Sequence, residues 1–102
     1  MATLVQVADA SDPKPGQGKL VEVDGQPIAL FNVNGAFYAL GAVCPHEGGP
    51  LQDGDLEGDT VICPWHGYDY NLRTGECSVD PELRVATFVV KTEGNGVFIE
   101  VA

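Results

Sequence analysis

Two short segments of this chain hold the residues best suited to bind a transition metal. They are Cys44-Pro45-His46-Glu47-Gly48-Gly49-Pro50-Leu51 and Cys63-Pro64-Trp65-His66-Gly67-Tyr68. Each opens Cys-Pro and each supplies one histidine, although the whole chain has only three cysteines and two histidines. Sixteen residues lie between His46 and Cys63, enough for the chain to run out and back and set the two knuckles face to face. Thiolate and imidazole suit zinc, iron or an iron–sulfur cluster far better than calcium or magnesium. Common zinc fingers pair like ligands, Cys with Cys and His with His, whereas each knuckle here is mixed. A two-iron cluster accounts for the mixing if each loop gives its Cys to one iron and its His to the other.

The elements that must position these knuckles read as strands. Turn signals recur at Asp24-Gly25, Asn34-Gly35, Asp53-Gly54, Glu57-Gly58 and Asn95-Gly96, with short β-prone runs between several of them. Lys19 to Val23, Pro27 to Val33 and Ala36 to Leu40 predict a three-stranded meander; Val85 to Lys91 and Val97 to Val101 predict a closing hairpin. A first strand is expected over Thr3 to Val7, then an irregular connector from Asp9 to Gly18. No window has a helical period, so the expected fold is all-β. The middle of the chain, about 41–84, is richer in Gly, Pro and acid and poorer in strand pattern. It reads as a loop-built insert on a β base formed by about 1–40 and 85–102, the whole of 1–102 being one domain.

At this point the sequence resembles the Rieske proteins, whose pattern is Cys-x-His, a spacer of about this length, then Cys-x-x-His. The resemblance extends to Phe37-Tyr38-Ala39-Leu40, to Leu51-x-x-Gly54 and to Arg73-Thr74-Gly75-Glu76. It implies the Rieske fold, an antiparallel β-sandwich base with a loop-rich cluster-binding subdomain, and one [2Fe–2S] cluster. It implies Cys44 and Cys63 as thiolate ligands of the inner iron and His46 and His66 as imidazole ligands of the outer iron. Gly48, Gly49 and Gly67 would let backbone N–H groups approach the bridging sulfides, or serve only turn geometry. Pro45 and Pro64 would stiffen the loops, and Pro81 would lie in a third loop over the cluster or in an ordinary turn.

Departures from the respiratory members define the expected subtype. Those carry an extra Cys in each knuckle, joined as a disulfide, where this chain has Gly49 and Trp65; they carry a sulfide-binding Ser where it has Tyr68. Tyr70 does match a tyrosine that donates to a ligand sulfur in those proteins. The closer resemblance is to soluble Rieske ferredoxins, which implies a midpoint near the lower end of the family range, about −150 mV rather than +300 mV. Trp65 is expected to pack, to shield the cluster or to touch a partner. Cys77, left over after ligation, is expected to be a buried small residue or an idle thiol. Arg73 is expected to pair with Asp69 or Glu76.

Composition excludes several classes. Fifteen acidic residues against five basic ones give a net charge of −10, which repels nucleic acid and anionic lipid. Nine of the carboxylates fall between Cys44 and Glu82, where Arg73 is the only base. The longest apolar stretch, Ala36 to Cys44, is far short of a membrane span, and the N-terminus has no basic n-region, so a cytoplasmic protein is expected. With both histidines committed to a cluster, none remains for a facial triad or a nucleophilic site, and the chain is expected to carry electrons without catalysing a reaction. The resemblance implies a monomeric shuttle between a flavin-dependent reductase and a terminal oxygenase. The alternatives are a small subunit of a larger redox complex such as nitrite reductase, and, from another class, a zinc-stabilised interaction module.

Overall fold

The structure is a computed structural model that describes residues 3–9, 12–43, 50–65, 67–78, 80 and 82–101. Its strands are β1 (Thr3–Asp9), β2 (Gly18–Val23), β3 (Gln26–Val33), β4 (Ala36–Gly41), β5 (Asp55–Glu57), β6 (Thr60–Ile62), β7 (Asp69–Asn71), β8 (Thr87–Phe88), β9 (Val90–Glu93) and β10 (Gly96–Val101). They form three antiparallel sheets, ordered β1-β10-β9, β2-β3-β4-β8 and β5-β6-β7. A single 3-10 turn, Leu51–Asp53, is the only helical element among the described residues. The all-β expectation holds.

β3 explains the layering. Its side chains alternate between two faces, and nearly all of them are apolar: Gln26-Pro-Ile-Ala-Leu-Phe-Asn-Val33. Such a strand is buried on both sides. Ile28 and Leu30 pack with Val97 and Ile99 of the β1-β10-β9 sheet, closing the sandwich. Ala29 and Phe31 face the opposite way, into a second core with Leu51, Val61, Cys63, Tyr70, Leu72, Cys77 and Val85. The central sheet therefore serves two cores, and the second one carries the 41–84 segment.

The meander forms as its turns require. Asp24 and Gly25 have φ of 52° and 78°, and Asn34 and Gly35 have 52° and 94°, the left-handed pair of a two-residue hairpin turn. Asp53-Gly54 is different, because Gly54 is extended and a Cβ there would overlap the Ile62 carbonyl oxygen; close approach, not turn conformation, requires glycine.

Two expectations are corrected. The run Val85 to Lys91 is not one hairpin strand: Thr87–Phe88 pairs with β4, whereas Val90–Glu93 pairs with β10, so the chain changes sheets at the exposed Val89. The middle segment is not built of loops alone, since β5, β6 and β7 make a sheet of three-residue strands. Strands so short leave no readable alternation in a sequence. The first strand also runs two residues beyond Val7.

Candidate metal centre

The two knuckles sit on matched bases. At the first, β4 ends at Gly41, Val43 and Pro50 form an antiparallel bridge, and the Leu51 N–H donates to the Ala42 carbonyl at 2.9 Å. Residues 44–49 span this closure. At the second, Ile62 and Asp69 are opposed across β6 and β7, and the Cys63 N–H donates to the Tyr68 carbonyl at 2.7 Å. Residues 63–68 span that one. The two closures, each made by backbone pairing, stand on one core that includes Ala42, Leu51 and Cys63.

A third crossing is closed in the same way. The Cys77 N–H donates to the Leu83 carbonyl at 3.1 Å, and the Leu83 N–H to the Asp80 carbonyl at 3.0 Å. Tyr70 and Cys77 are bridged, and the Ser78 N–H donates to the Asp69 carbonyl at 3.3 Å, so this segment extends the β5-β6-β7 sheet beside the second knuckle.

Of the four expected ligands, Cys63 lies within the described residues, buried to 1% exposure at the end of β6. Cys44, His46 and His66 lie outside them, as do Pro45, Gly48, Gly49 and Pro81. Gly67 has a φ of 73° with open space where a Cβ would stand, so the turn conformation is the constraint that the structure gives it. Trp65 is 48% exposed, so about half of the side chain is left accessible. Cys77 is buried in the second core, as expected of a small apolar residue. Tyr70 is fully buried in that same core with Cys63.

Arg73 corrects an expectation. Its guanidinium lies 3.7 Å from Asp59 and 5.9 Å from the centroid of the Tyr38 ring, while Glu76 is paired with Arg84 at 2.9 Å and Asp69 accepts from the Ser78 hydroxyl. Asn71 sets this arrangement. Its Oδ1 accepts from the N–H groups of Arg73 and Thr74 at 2.8 and 3.1 Å, turning the chain so that Arg73 faces the β5-β6 turn. Asx-turn capacity was readable in Asn71 from the sequence, although its partner was not.

The exposure of Val43, at 54%, was missed by sequence reasoning. The signal was present: if the period-2 alternation of β4 is continued, the buried Leu40 and Ala42 put Val43 on the outward side.

A [2Fe–2S] cluster fits this donor set. The one expected ligand that is described, Cys63, is a buried cysteine at a strand end, backed by an apolar core, and such a setting would hold a thiolate in place. Among the described residues no helix is long and apolar enough to cross a membrane.

The comparisons with known proteins agree with that reading. Residues 3–91 match the model of the Rieske [2Fe-2S] domain. The chain is 35% identical over 98 residues to the ferredoxin component of biphenyl 2,3-dioxygenase from Rhodococcus jostii, covering 95% of this chain and 92% of that one. It is 39% identical over 94 residues to human apoptosis-inducing factor 3, covering 91% of this chain but only 16% of that much longer protein. Among solved structures it resembles a chain of the complex of reduced oxygenase and oxidized ferredoxin in carbazole 1,9a-dioxygenase, with a TM-score of 0.85 at 33% identity over 94% of this chain and 91% of that one. From fold, knuckles and sequence alike, the chain belongs to the Rieske [2Fe-2S] domain family.

Proposed function

We propose that this chain is a one-electron carrier holding one [2Fe–2S] cluster, with Cys44 and Cys63 on the inner iron and His46 and His66 on the outer iron. The observation that carries this reading is the pair of six-residue knuckles closed on a shared core, each containing one Cys and one His. The cluster supplies a centre that gains and loses a single electron. The protein's own part, among the described residues, is to hold Cys63 at the end of β6 and to keep water from it through Leu51, Val61 and Tyr70.

The donor is a flavin-dependent reductase and the acceptor a terminal oxygenase. Support comes from the likeness, over nearly the full length of each, to a dioxygenase ferredoxin component and to a chain of an oxygenase–ferredoxin complex. The chain works as a monomeric single domain, with base 1–40 and 85–102 and cluster-binding insert 41–84, in a cytoplasm reducing enough to keep Cys77 a thiol.

Electron paramagnetic resonance of the dithionite-reduced protein, with iron and acid-labile sulfide assays, tests the proposal. The expected result is a red-brown protein with two irons and two sulfides per chain and a rhombic signal at low temperature. A colourless, zinc-loaded protein, or an iron-replete sample with no signal, overturns it.

A further inference from the structure

The chain parts from β4 early on its way back to the base. Thr87 and Phe88 pair with Leu40 and Ala39, but Val90 pairs with Ile99 of the β1-β10-β9 sheet, and the crossing is made at the exposed Val89. Phe37 and Tyr38 therefore carry β4 past its last partner on that side. Leu72 and Arg73 approach from the turn after β7, at the end of that strand away from the Cys63–Tyr68 closure. These segments enclose a groove of about 350 Å³, whose walls include Phe37, Tyr38, Leu72, Arg73, Phe88 and Val89. That volume lies at the lower end of the range for small-molecule sites.

The walls select a chemistry. Three aromatic side chains, Phe37, Tyr38 and Phe88, meet here, and Arg73 is the one charged group among the described lining residues. Its guanidinium stands over the Tyr38 ring, 5.9 Å from the centroid, which holds the charge against the apolar walls. The carboxylate paired with it, Asp59, is 3.7 Å away, beyond hydrogen-bond distance, and both side chains are more than half exposed. An ion pair of that kind is weak, and the N–H fork stays open to a second carboxylate. Arg84 differs, because it donates to Glu76 at 2.9 Å. An anion approaching a chain of net charge −10 is repelled except beside an uncommitted cation.

We propose that this groove binds a small aromatic carboxylic acid as its anion, with the ring against Phe37, Tyr38 and Phe88 and the carboxylate accepting from Arg73. Ring contacts supply the apolar burial, and the charge-assisted pair fixes the orientation. The site is independent of the electron-carrier reading, since Arg73 lies at the far end of β7 from Cys63.

Isothermal titration calorimetry of the holoprotein tests this with 2-naphthoate, its neutral isostere 2-naphthamide, and acetate, which has the charge without the ring. 2-Naphthoate should bind with a dissociation constant of about 1 mM or below, and the other two about tenfold more weakly. Arg73→Ala should weaken 2-naphthoate about tenfold. Val89→Glu, which adds a like charge at an exposed wall position, should weaken it about threefold, and it keeps the test valid if Arg73→Ala fails to fold. Arg84→Ala, outside the groove, should leave binding unchanged. Absence of 2-naphthoate binding up to about 10 mM overturns the site. Equal binding of 2-naphthamide overturns it too, as does affinity that neither Arg73→Ala nor Val89→Glu reduces.

Discussion

The carbonyl oxygen of Val85 occupies the space that a side chain on Gly75 would need, and the Val85 N–H donates to the Gly75 carbonyl at 2.9 Å. This contact joins the turn after β7 to the chain as it returns to the base, and it explains the glycine in Arg73-Thr74-Gly75-Glu76. Gly75 also has a φ of 78°. Gly25 has the same φ with open space around it, so the two glycines separate conformation from contact. Gly25→Ala should cost about 1–2 kcal/mol from the left-handed backbone alone. Gly75→Ala should cost about 1–3 kcal/mol more, because backbone must shift to admit the methyl group. Urea unfolding of the two variants checks this; equal losses would mean that the Val85 contact yields freely.

Cys63 and Cys77 are both buried cysteines in one core, yet they should respond oppositely to substitution. Their strand positions keep them apart: Cys63 closes on Tyr68, whereas Cys77 is bridged to Tyr70, two residues along and one strand further. Cys63→Ser, like Cys44→Ser, His46→Ala or His66→Ala, should give a protein without the visible spectrum of a Rieske cluster. Cys77→Ser should keep the full spectrum and lose about 1–3 kcal/mol of stability through a buried hydroxyl. Loss of the cluster on Cys77→Ser, with the fold intact by circular dichroism, would make Cys77 a participant in the site.

The midpoint potential should lie near −150 mV, the low end of the range for Rieske centres. The position two residues after His66 is Tyr68, whose backbone carbonyl takes the Cys63 N–H. No hydroxyl of serine stands there to favour the reduced, more negative cluster. Redox titration at neutral pH measures the value directly, and a clearly positive midpoint would contradict the assignment to the low-potential subtype.

Much of this was legible because the informative signals were local. Asp24-Gly25 and Asn34-Gly35 fix the meander by their own backbone preferences, and the mixed Cys/His pattern pointed to the family by residue type and spacing. What was not legible depended on partners distant in sequence. Every residue from Val85 to Val90 suits a strand, so nothing local reveals that Thr87 finds Leu40 while Val90 finds Ile99. Arg73 had acids nearer in sequence than Asp59, and only the Asn71 turn and the β5-β6 hairpin bring that pair together. Val43 was hidden inside a run whose apolar character suggested burial, although its parity placed it outward.

Tyr70 offers the most direct link from core to potential. It is fully buried in the core that holds Cys63, on the strand opposite Val61, and it matches a tyrosine that donates to a ligand sulfur in respiratory members of the family. A hydrogen bond to ligand sulfur strengthens when the cluster takes an electron, so it favours the reduced form and raises the potential. A differential of about 1 kcal/mol between the two oxidation states corresponds to about 40 mV for one electron. Tyr70→Phe keeps the ring and removes only the hydroxyl, so the cluster should be retained and the midpoint should fall by about that amount. Titrating both proteins under identical conditions decides it, and an unchanged or raised midpoint would show that the Tyr70 hydroxyl does not raise the potential.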